Sequence, residues 1–217
     1  MEKSFTLGPE STTAYAFASS RMRFSLSFKR FADFFCGIIA AVILSPLMLV
    51  IYAAIKISDR GPAIFRQTRV GRGGKYFTLY KFRSMRVDAE ADGRARLAAK
   101  DDDRLTRVGR FIRAHHLDEL PQLWNVIRGD MSFVGPRPER PVFVKQIYQA
   151  NPNYQRLFIL RPGLFSDATL YNGYTDTLEK MLRRTEMDLH YLQHRTLLGD
   201  IRIIATTAWF ILSGRRF

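Results

Sequence analysis

Cysteine is nearly absent from this chain: Cys36 is the single one among 217 residues. That excludes an intrachain disulfide and suits a reducing compartment. Cys36 lies within an apolar run, where it reads as a small buried hydrophobe and not as a nucleophile. Histidine is scarce as well. Of the four, His190 and His194 stand one helical turn apart, but no acidic or cysteine pattern completes a metal set around them. No internal repeat is visible, which excludes solenoid architectures. Residues 1–20 are small and polar, lack the apolar core and cleavage pattern of a secretory signal, and are expected to have no fixed structure. Acidic residues are the other deficit. Asp and Glu number 20 against 34 Lys and Arg, a formal net charge of +14. An excess of that size calls for an anionic partner: nucleic acid, an acidic membrane surface or a phosphorylated substrate.

What the chain does contain begins with a basic, aromatic run, Arg21 to Arg30, written like a segment lying on lipid headgroups, with Lys29 and Arg30 as headgroup contacts. Phe34 to Ile55 then carries no charge at all. Its length suits a bilayer core, which needs roughly 20 residues. Two features argue against a simple span. Ser45-Pro46 sits near the middle, where proline removes a backbone hydrogen bond. Both flanks are basic, with Lys29 and Arg30 before and Lys56, Arg60, Arg66 and Arg69 after, so the usual charge asymmetry is missing. A re-entrant helix that breaks at Ser45-Pro46 satisfies both, the serine hydroxyl capping a carbonyl that proline frees. A spanning helix and a soluble-core helix remain alternatives. The expected divisions are an N-terminal segment at 1–27, a membrane helix at 28–58 and a catalytic domain at 59–217, with an α+β fold.

Two β-branched and aromatic runs, 63–70 and 76–83, flank Gly71-Arg-Gly-Gly-Lys75 and predict a hairpin. Its glycines precede a strand, not a helix, so they do not make a P-loop. Lys81 and Arg83 end the second strand with cations in reach of a phosphate. Residues 87–107 are mixed in charge, and Asp101-Asp-Asp103 reads as solvated loop. Val108, Phe111, Ile112 and Leu117 carry an amphipathic helix into the stretch Asp118-Glu-Leu-Pro-Gln-Leu123. Pro121 fits the first turn of a helix, making Asp118 an expected N-cap, with Leu120, Leu123, Trp124 and Ile127 on one face. Arg113, Arg128 and Arg137 frame the two acids. An acidic dyad in a basic frame suits Mg²⁺ and a phosphorylated substrate. Taken alone, an acid at a helix start is also an ordinary cap.

Gly135-Pro-Arg-Pro138 and Arg161-Pro-Gly163 are rigid turns that hold Arg137 and Arg161. Between them residues 140–160 read as largely helical, and 167–176 as an irregular polar loop of a binding kind. Asp200 to Leu212 is apolar, contains Trp209, and is too short to span; it reads as an amphipathic interfacial helix.

Lys29-Arg30 with Asp33, Ser45-Pro46, Lys81-Phe-Arg-Ser-Met85, Asp118-Glu-Leu-Pro-Gln-Leu123, Arg128-Gly-Asp-Met-Ser-Phe-Val-Gly-Pro-Arg-Pro-Glu139, Arg161-Pro-Gly163 and Asp200 together resemble the bacterial sugar transferases, the monotopic phosphoglycosyl transferases. The resemblance covers about residues 28–214 and is to the minimal catalytic form. It implies that Asp118 is a nucleophile attacking the β-phosphate of a UDP-sugar, and that Glu119 helps to hold Mg²⁺, with Mn²⁺ an alternative. It implies phosphate or nucleotide contacts from Arg113, Lys81, Arg161 and the turn Pro136-Arg137-Pro138, and a supporting polar role for Asp200. The implied acceptor is polyprenol phosphate at the cytosolic face of the bacterial inner membrane. The implied partners are thus a UDP-sugar and a lipid bilayer, without nucleic acid, and with a homodimer left open. One departure stands out: after Gly163 the chain reads Leu164-Phe-Ser-Asp-Ala-Thr-Leu-Tyr-Asn-Gly173, where the family has a Thr-Gly and an Ala-Gln-Val-Asn-Gly type of segment. A non-catalytic basic membrane protein is the reading that competes.

Overall fold

A computed structural model describes residues 4–5, 20–91, 97, 102–173 and 175–213. Helix α1 (Ser20–Ser58) is followed by strands β1 (Ile64–Val70) and β2 (Tyr76–Phe82), then α2 (Arg107–Ala114). A 3-10 segment, Leu117–Gln122, leads into α3 (Leu123–Arg128) and β3 (Ser132–Val134). Helix α4 (Pro141–Ala150), a 3-10 segment Pro152–Ile159, β4 (Gly163–Phe165), α5 (Asp167–Asn172), α6 (Leu178–His194) and α7 (Leu197–Leu212) complete the order. The fold is thus mixed helix and strand, with two small sheets. β1 and β2 form the antiparallel hairpin, Thr68 opposite Thr78, while β3 and β4 pair in parallel through Ser132–Gly163 and Val134–Phe165. That second sheet was not anticipated, because three-residue strands give no usable alternation.

α1 is long and apolar enough to cross a membrane, with a mean hydropathy of 2.7 over its best window and only 11% of that window buried. It begins earlier than the expected residue 28. Pro46 lies inside it, and the Ser45 hydroxyl donates to the Val42 carbonyl at 2.7 Å. That carbonyl is the one Pro46 leaves without its usual N–H. Both halves of α1 meet the rest of the protein. Near the start, Lys29 Nζ lies 2.5 Å from Asp200 Oδ2, Arg30 donates to the carbonyls of Val126 and Ile127 at 2.7 Å each, and Asp33 Oδ1 accepts the Phe133 N–H at 3.2 Å. Near its end, Ile51 and Ile55 are buried with Ala63, Phe82 and Ile112. Each such side chain contributes roughly 1.5–3 kcal/mol by leaving water. Between them Val42, Ile43, Leu49 and Val50 stay exposed.

The largest core joins α4, the 3-10 segment after it and α6 through Val144, Ile147, Leu157 and Met181. Residues 140–160, read as largely helical, are α4 and a 3-10 segment separated by Asn151. The expectation of an unstructured N-terminus fails at two residues. Ser4 bridges Lys75, the Phe5 N–H donates to Gly74 at 2.8 Å, and the Phe5 ring packs on Tyr148 and Phe158. The remainder of 1–19 lies outside the described residues, as does most of 92–101. Asp102, read as solvated, is buried and paired with Arg104 at 2.6 Å.

Candidate active site

Three elements bring the dyad into place. β2 delivers Lys81, the 3-10 segment delivers Asp118 and Glu119, and the turn after β3 delivers Arg137. The local backbone differs from the expectation. Asp118 is not an N-cap: His116 holds that position in the left-handed region at φ 54°, and both acids fall in the first turn of the 3-10 segment. The α-helix proper starts only at Leu123. A cap would spend its carboxylate on backbone N–H groups; without that duty Asp118 keeps its oxygens for other chemistry. Of the residues expected on one face, Leu123 is buried but Trp124 is 55% exposed, and Asn125 and Val126 are buried with Leu123.

Lys81 Nζ sits 2.5 Å from Glu119 Oε1 and 3.9 Å from Asp118 Oδ2. Arg137 reaches Glu119 Oε1 at 3.6 Å. Glu119 is therefore clamped by two cations, whereas Lys81 stands beyond hydrogen-bond reach of Asp118. Burial alone would raise the pKa of Glu119, but Lys81 and Arg137 outweigh it and hold the carboxyl at about 2. For Asp118 burial wins: its pKa rises to about 6, Lys81 offsetting only part of that and the neighbouring Glu119 adding to it. Two adjacent carboxyl groups pushed apart in this way take different roles. Burial lowers the His116 pKa beside them.

The dyad opens on a cleft of about 1390 Å³ whose walls also include Arg113, Arg140 and His116. One side is apolar: Ala40, Leu44 and Leu47 of α1 face it, together with Ile204, Ala208 and Ile211 of α7. Another side is the departing segment, with Leu164, Phe165, Thr169 and Leu170. The two Arg-Pro turns pack backbone on backbone. A Cβ on Gly163 would lie 2.1 Å from the Gly135 nitrogen, and one on Gly135 would lie 2.4 Å from the Arg161 carbonyl, so only glycine fits either place.

Behind Arg137 lies a second ionic layer. Glu139 accepts from Arg184 and lies 3.4 Å from Arg69, whose guanidinium also donates to the Pro138 carbonyl at 2.9 Å. Burial raises the Glu139 pKa less than Arg184 and Arg69 lower it, so it stays ionised. Asp188 accepts the Ser166 hydroxyl at 3.0 Å and the backbone N–H of Arg137, and burial pushes its pKa up to about 7. Pro136 and Pro138 thus shape a turn fixed from behind by α6.

Other anticipated residues lie elsewhere. Asp200 accepts Lys29 and the Tyr191 hydroxyl, the latter at 2.6 Å, and does not reach the dyad. Arg161 donates from Nε to the Gly129 carbonyl at 2.8 Å, and it lies with Lys29, Arg30 and Arg72 around a separate small hollow. With Arg30 it caps the carbonyl end of α3, where cations are favoured. Lys29 and Arg30, expected at headgroups, are turned onto the protein. Asn125, Arg184 and Asp188 carry geometry that the sequence did not assign; a buried charge has no signature until its partners, 45 positions apart for Arg184 and Glu139, are brought together.

Comparison with known proteins places the sequence in a family. The family model described as bacterial sugar transferase matches residues 24–214. The chain is 41% identical over 186 residues to the UDP-N-acetylgalactosamine-undecaprenyl-phosphate N-acetylgalactosaminephosphotransferase of Aeromonas hydrophila, covering 86% of this chain and 44% of that protein. It is 41% identical over 187 residues to the UDP-glucose:undecaprenyl-phosphate glucose-1-phosphate transferase of Klebsiella pneumoniae, at 85% and 40% coverage. With the protein of the same name from Caulobacter vibrioides it shares 40% identity over 187 residues, at 85% and 70% coverage. The chain spans less than half the length of the first two relatives. With its dyad, its Arg-Pro turns and nearly its whole length inside the match, the chain belongs to the bacterial sugar transferase family.

Proposed function

We propose that this chain catalyses transfer of a phosphosugar from a UDP-sugar to polyprenol phosphate. The observation that carries this reading is the unequal pairing of the dyad: buried Asp118 lies 3.9 Å from Lys81, while its neighbour Glu119 is held by Lys81 at 2.5 Å and Arg137 at 3.6 Å. Asp118, ionised at neutral pH and held by no hydrogen bond among the described residues, attacks the β-phosphorus of the donor. The phosphoanhydride bond breaks, UMP leaves with its electron pair, and an aspartyl phosphosugar remains. A phosphate oxygen of the polyprenol phosphate then attacks that phosphorus and frees Asp118, giving polyprenyl diphosphate sugar. Lys81, Arg113 and Arg137 face the charge that develops on the phosphoryl oxygens.

The donor set suits Mg²⁺. Two adjacent carboxyl groups in a basic cleft match an ion that uses one or two protein carboxylates and completes its shell with phosphate oxygens and water. Asp118 and Glu119 would hold it; Mn²⁺ uses the same oxygens. When bound, the ion supplies charge neutralisation to the diphosphate.

α1 runs as one continuous helix through Pro46, without the expected break at Ser45-Pro46, and is still read as re-entrant. Its start is tied to Asp200, Val126 and Ile127, and its end is buried with Phe82 and Ile112. Both attachments are to one body, which suits a helix that dips into the bilayer and returns more than one that ends on the far side. The exposed apolar face of α7, including Leu198, Ile201 and Trp209, would lie in the interface. The dyad then works at headgroup level on the cytosolic side of the inner membrane, where nucleotide sugars are made.

Intact mass of the protein mixed with individual UDP-sugars and Mg²⁺, without acceptor, tests the scheme. The expected gain is one phosphosugar, absent in Asp118→Asn. Product formation on adding polyprenol phosphate, with no adduct from any donor, would favour direct attack by the lipid. Neither adduct nor product would leave the chain a basic membrane protein without this chemistry.

A further inference from the structure

Asn125 is fully buried, at 0% exposure, in the middle of α3. Its Oδ1 accepts the Tyr80 N–H at 3.1 Å, and its Nδ2 donates to the Thr78 carbonyl at 2.7 Å and approaches Asp130 Oδ2 at 3.3 Å. Tyr80 and Thr78 are alternate residues of β2, whose other edge pairs with β1. The amide therefore acts as one residue of a third strand, set against the edge that β1 leaves unpaired. An apolar side chain of the same size would leave a buried N–H and a buried carbonyl without partners.

The placement matters because of what lies on either side. Tyr80 precedes Lys81, and α3 continues directly from the segment that bears Asp118 and Glu119. We infer that Asn125 is a positioning residue: its amide fixes the register of α3 on β2, and so the approach of Lys81 to the two carboxyl groups. This rests on the reading of Asp118 as the nucleophile. It goes beyond that reading in naming what sets the geometry of the site. A misplacement of about 1 Å at a reacting centre is enough to cost on the order of 100-fold in rate.

The test uses the full-length protein in detergent or nanodiscs, with Asn125→Asp, which keeps the shape but removes the donor to Thr78. Asn125→Ser is the second variant should the first fail to fold. Val144→Ala, in the α4–α6 core, serves as a control that loses stability elsewhere. The adduct-forming rate and the donor affinity are measured separately, together with the rate at which an amine-specific reagent labels Lys81. The expected result is a rate loss of roughly 10–100-fold, affinity unchanged within about threefold, and faster Lys81 labelling. The Val144 variant, at an equal loss of thermal stability, shows neither effect. Adduct formation no slower than in the control, or labelling of Lys81 unchanged, overturns the inference. If the wild-type protein forms no adduct with any UDP-sugar, the nucleophile reading fails, and Lys81 labelling still decides whether Asn125 sets that contact.

Discussion

The molecule carries two ionic layers built from the same parts and finished differently. In front, Asp118 and Glu119 share one close lysine and a more distant arginine, and face an open cleft. Behind, Glu139 is held by Arg184 and Arg69, and Asp188 by Ser166 and the Arg137 backbone, with Arg69, Glu139, Ser166 and Arg184 lining the same cleft. The rear layer holds each of its acids by direct hydrogen bonds. The front layer leaves Asp118 underpaired, at a cost that burial makes real. Burial raises the pKa of one acid in each layer, but Asp188 accepts the Ser166 hydroxyl whereas Asp118 has no hydrogen bond among the described residues.

Breaking the front layer should have the largest effect. Asp118→Asn is expected to lower adduct formation by about 10³-fold or more, measured by intact mass. The same variant should raise the melting temperature by about 2–6 °C near neutral pH, since a buried carboxylate is removed. Lys81→Met should slow the same step on the order of 10²–10³-fold, because the charge facing the phosphoryl oxygens is gone; stopped-flow quench with a labelled donor reads it. An unchanged rate would remove Lys81 from the site.

Breaking the rear layer should act on stability instead. Glu139→Gln leaves Arg184 and Arg69 without a full counter-charge, and should cost about 3–5 kcal/mol in denaturant unfolding. Substrate turnover per folded molecule should fall far less than in Lys81→Met. A catalytic loss as large as that one would mean the two layers are a single functional unit.

Titration sharpens the contrast further. Asp118 attacks as the carboxylate and has its pKa raised to about 6, so adduct formation should fall about tenfold per unit as pH drops below about 6, and level off above it. A further pH effect is expected at Asp188. Its pKa is raised to about 7 by burial, so the folded state binds the proton more tightly than the unfolded chain. Stability therefore declines as pH rises from about 4 to about 7 and is flat beyond. Asp188→Asn should remove that slope while retaining the Ser166 contact.

Much of this was legible before any fold was known. The charge-free run with a central Ser-Pro, the glycine-turned hairpin and the acidic pair before Leu-Pro-Gln are local patterns, and each depends on neighbours within a few residues. Even the pairing of Ser45 with the carbonyl freed by Pro46 is a local event, at i to i−3. Distant contacts added what local patterns do not carry. Lys29 and Arg30, expected at headgroups, reach Asp200 and the carbonyl end of α3. Arg161, implied as a nucleotide contact by the resemblance, donates to the Gly129 carbonyl.

The sequence by itself therefore determined the apolar helix, the hairpin, the acidic pair and the family. Those follow from periodicity, backbone chemistry and residue order. Only the tertiary structure decided how each acid is paired. Asp118 and Glu119 are adjacent and chemically alike, and their difference comes from Lys81 and Arg137, which the fold sets against one of them at 2.5 and 3.6 Å and leaves Lys81 3.9 Å from the other. Charge interactions depend on distance through space, which residue order does not encode.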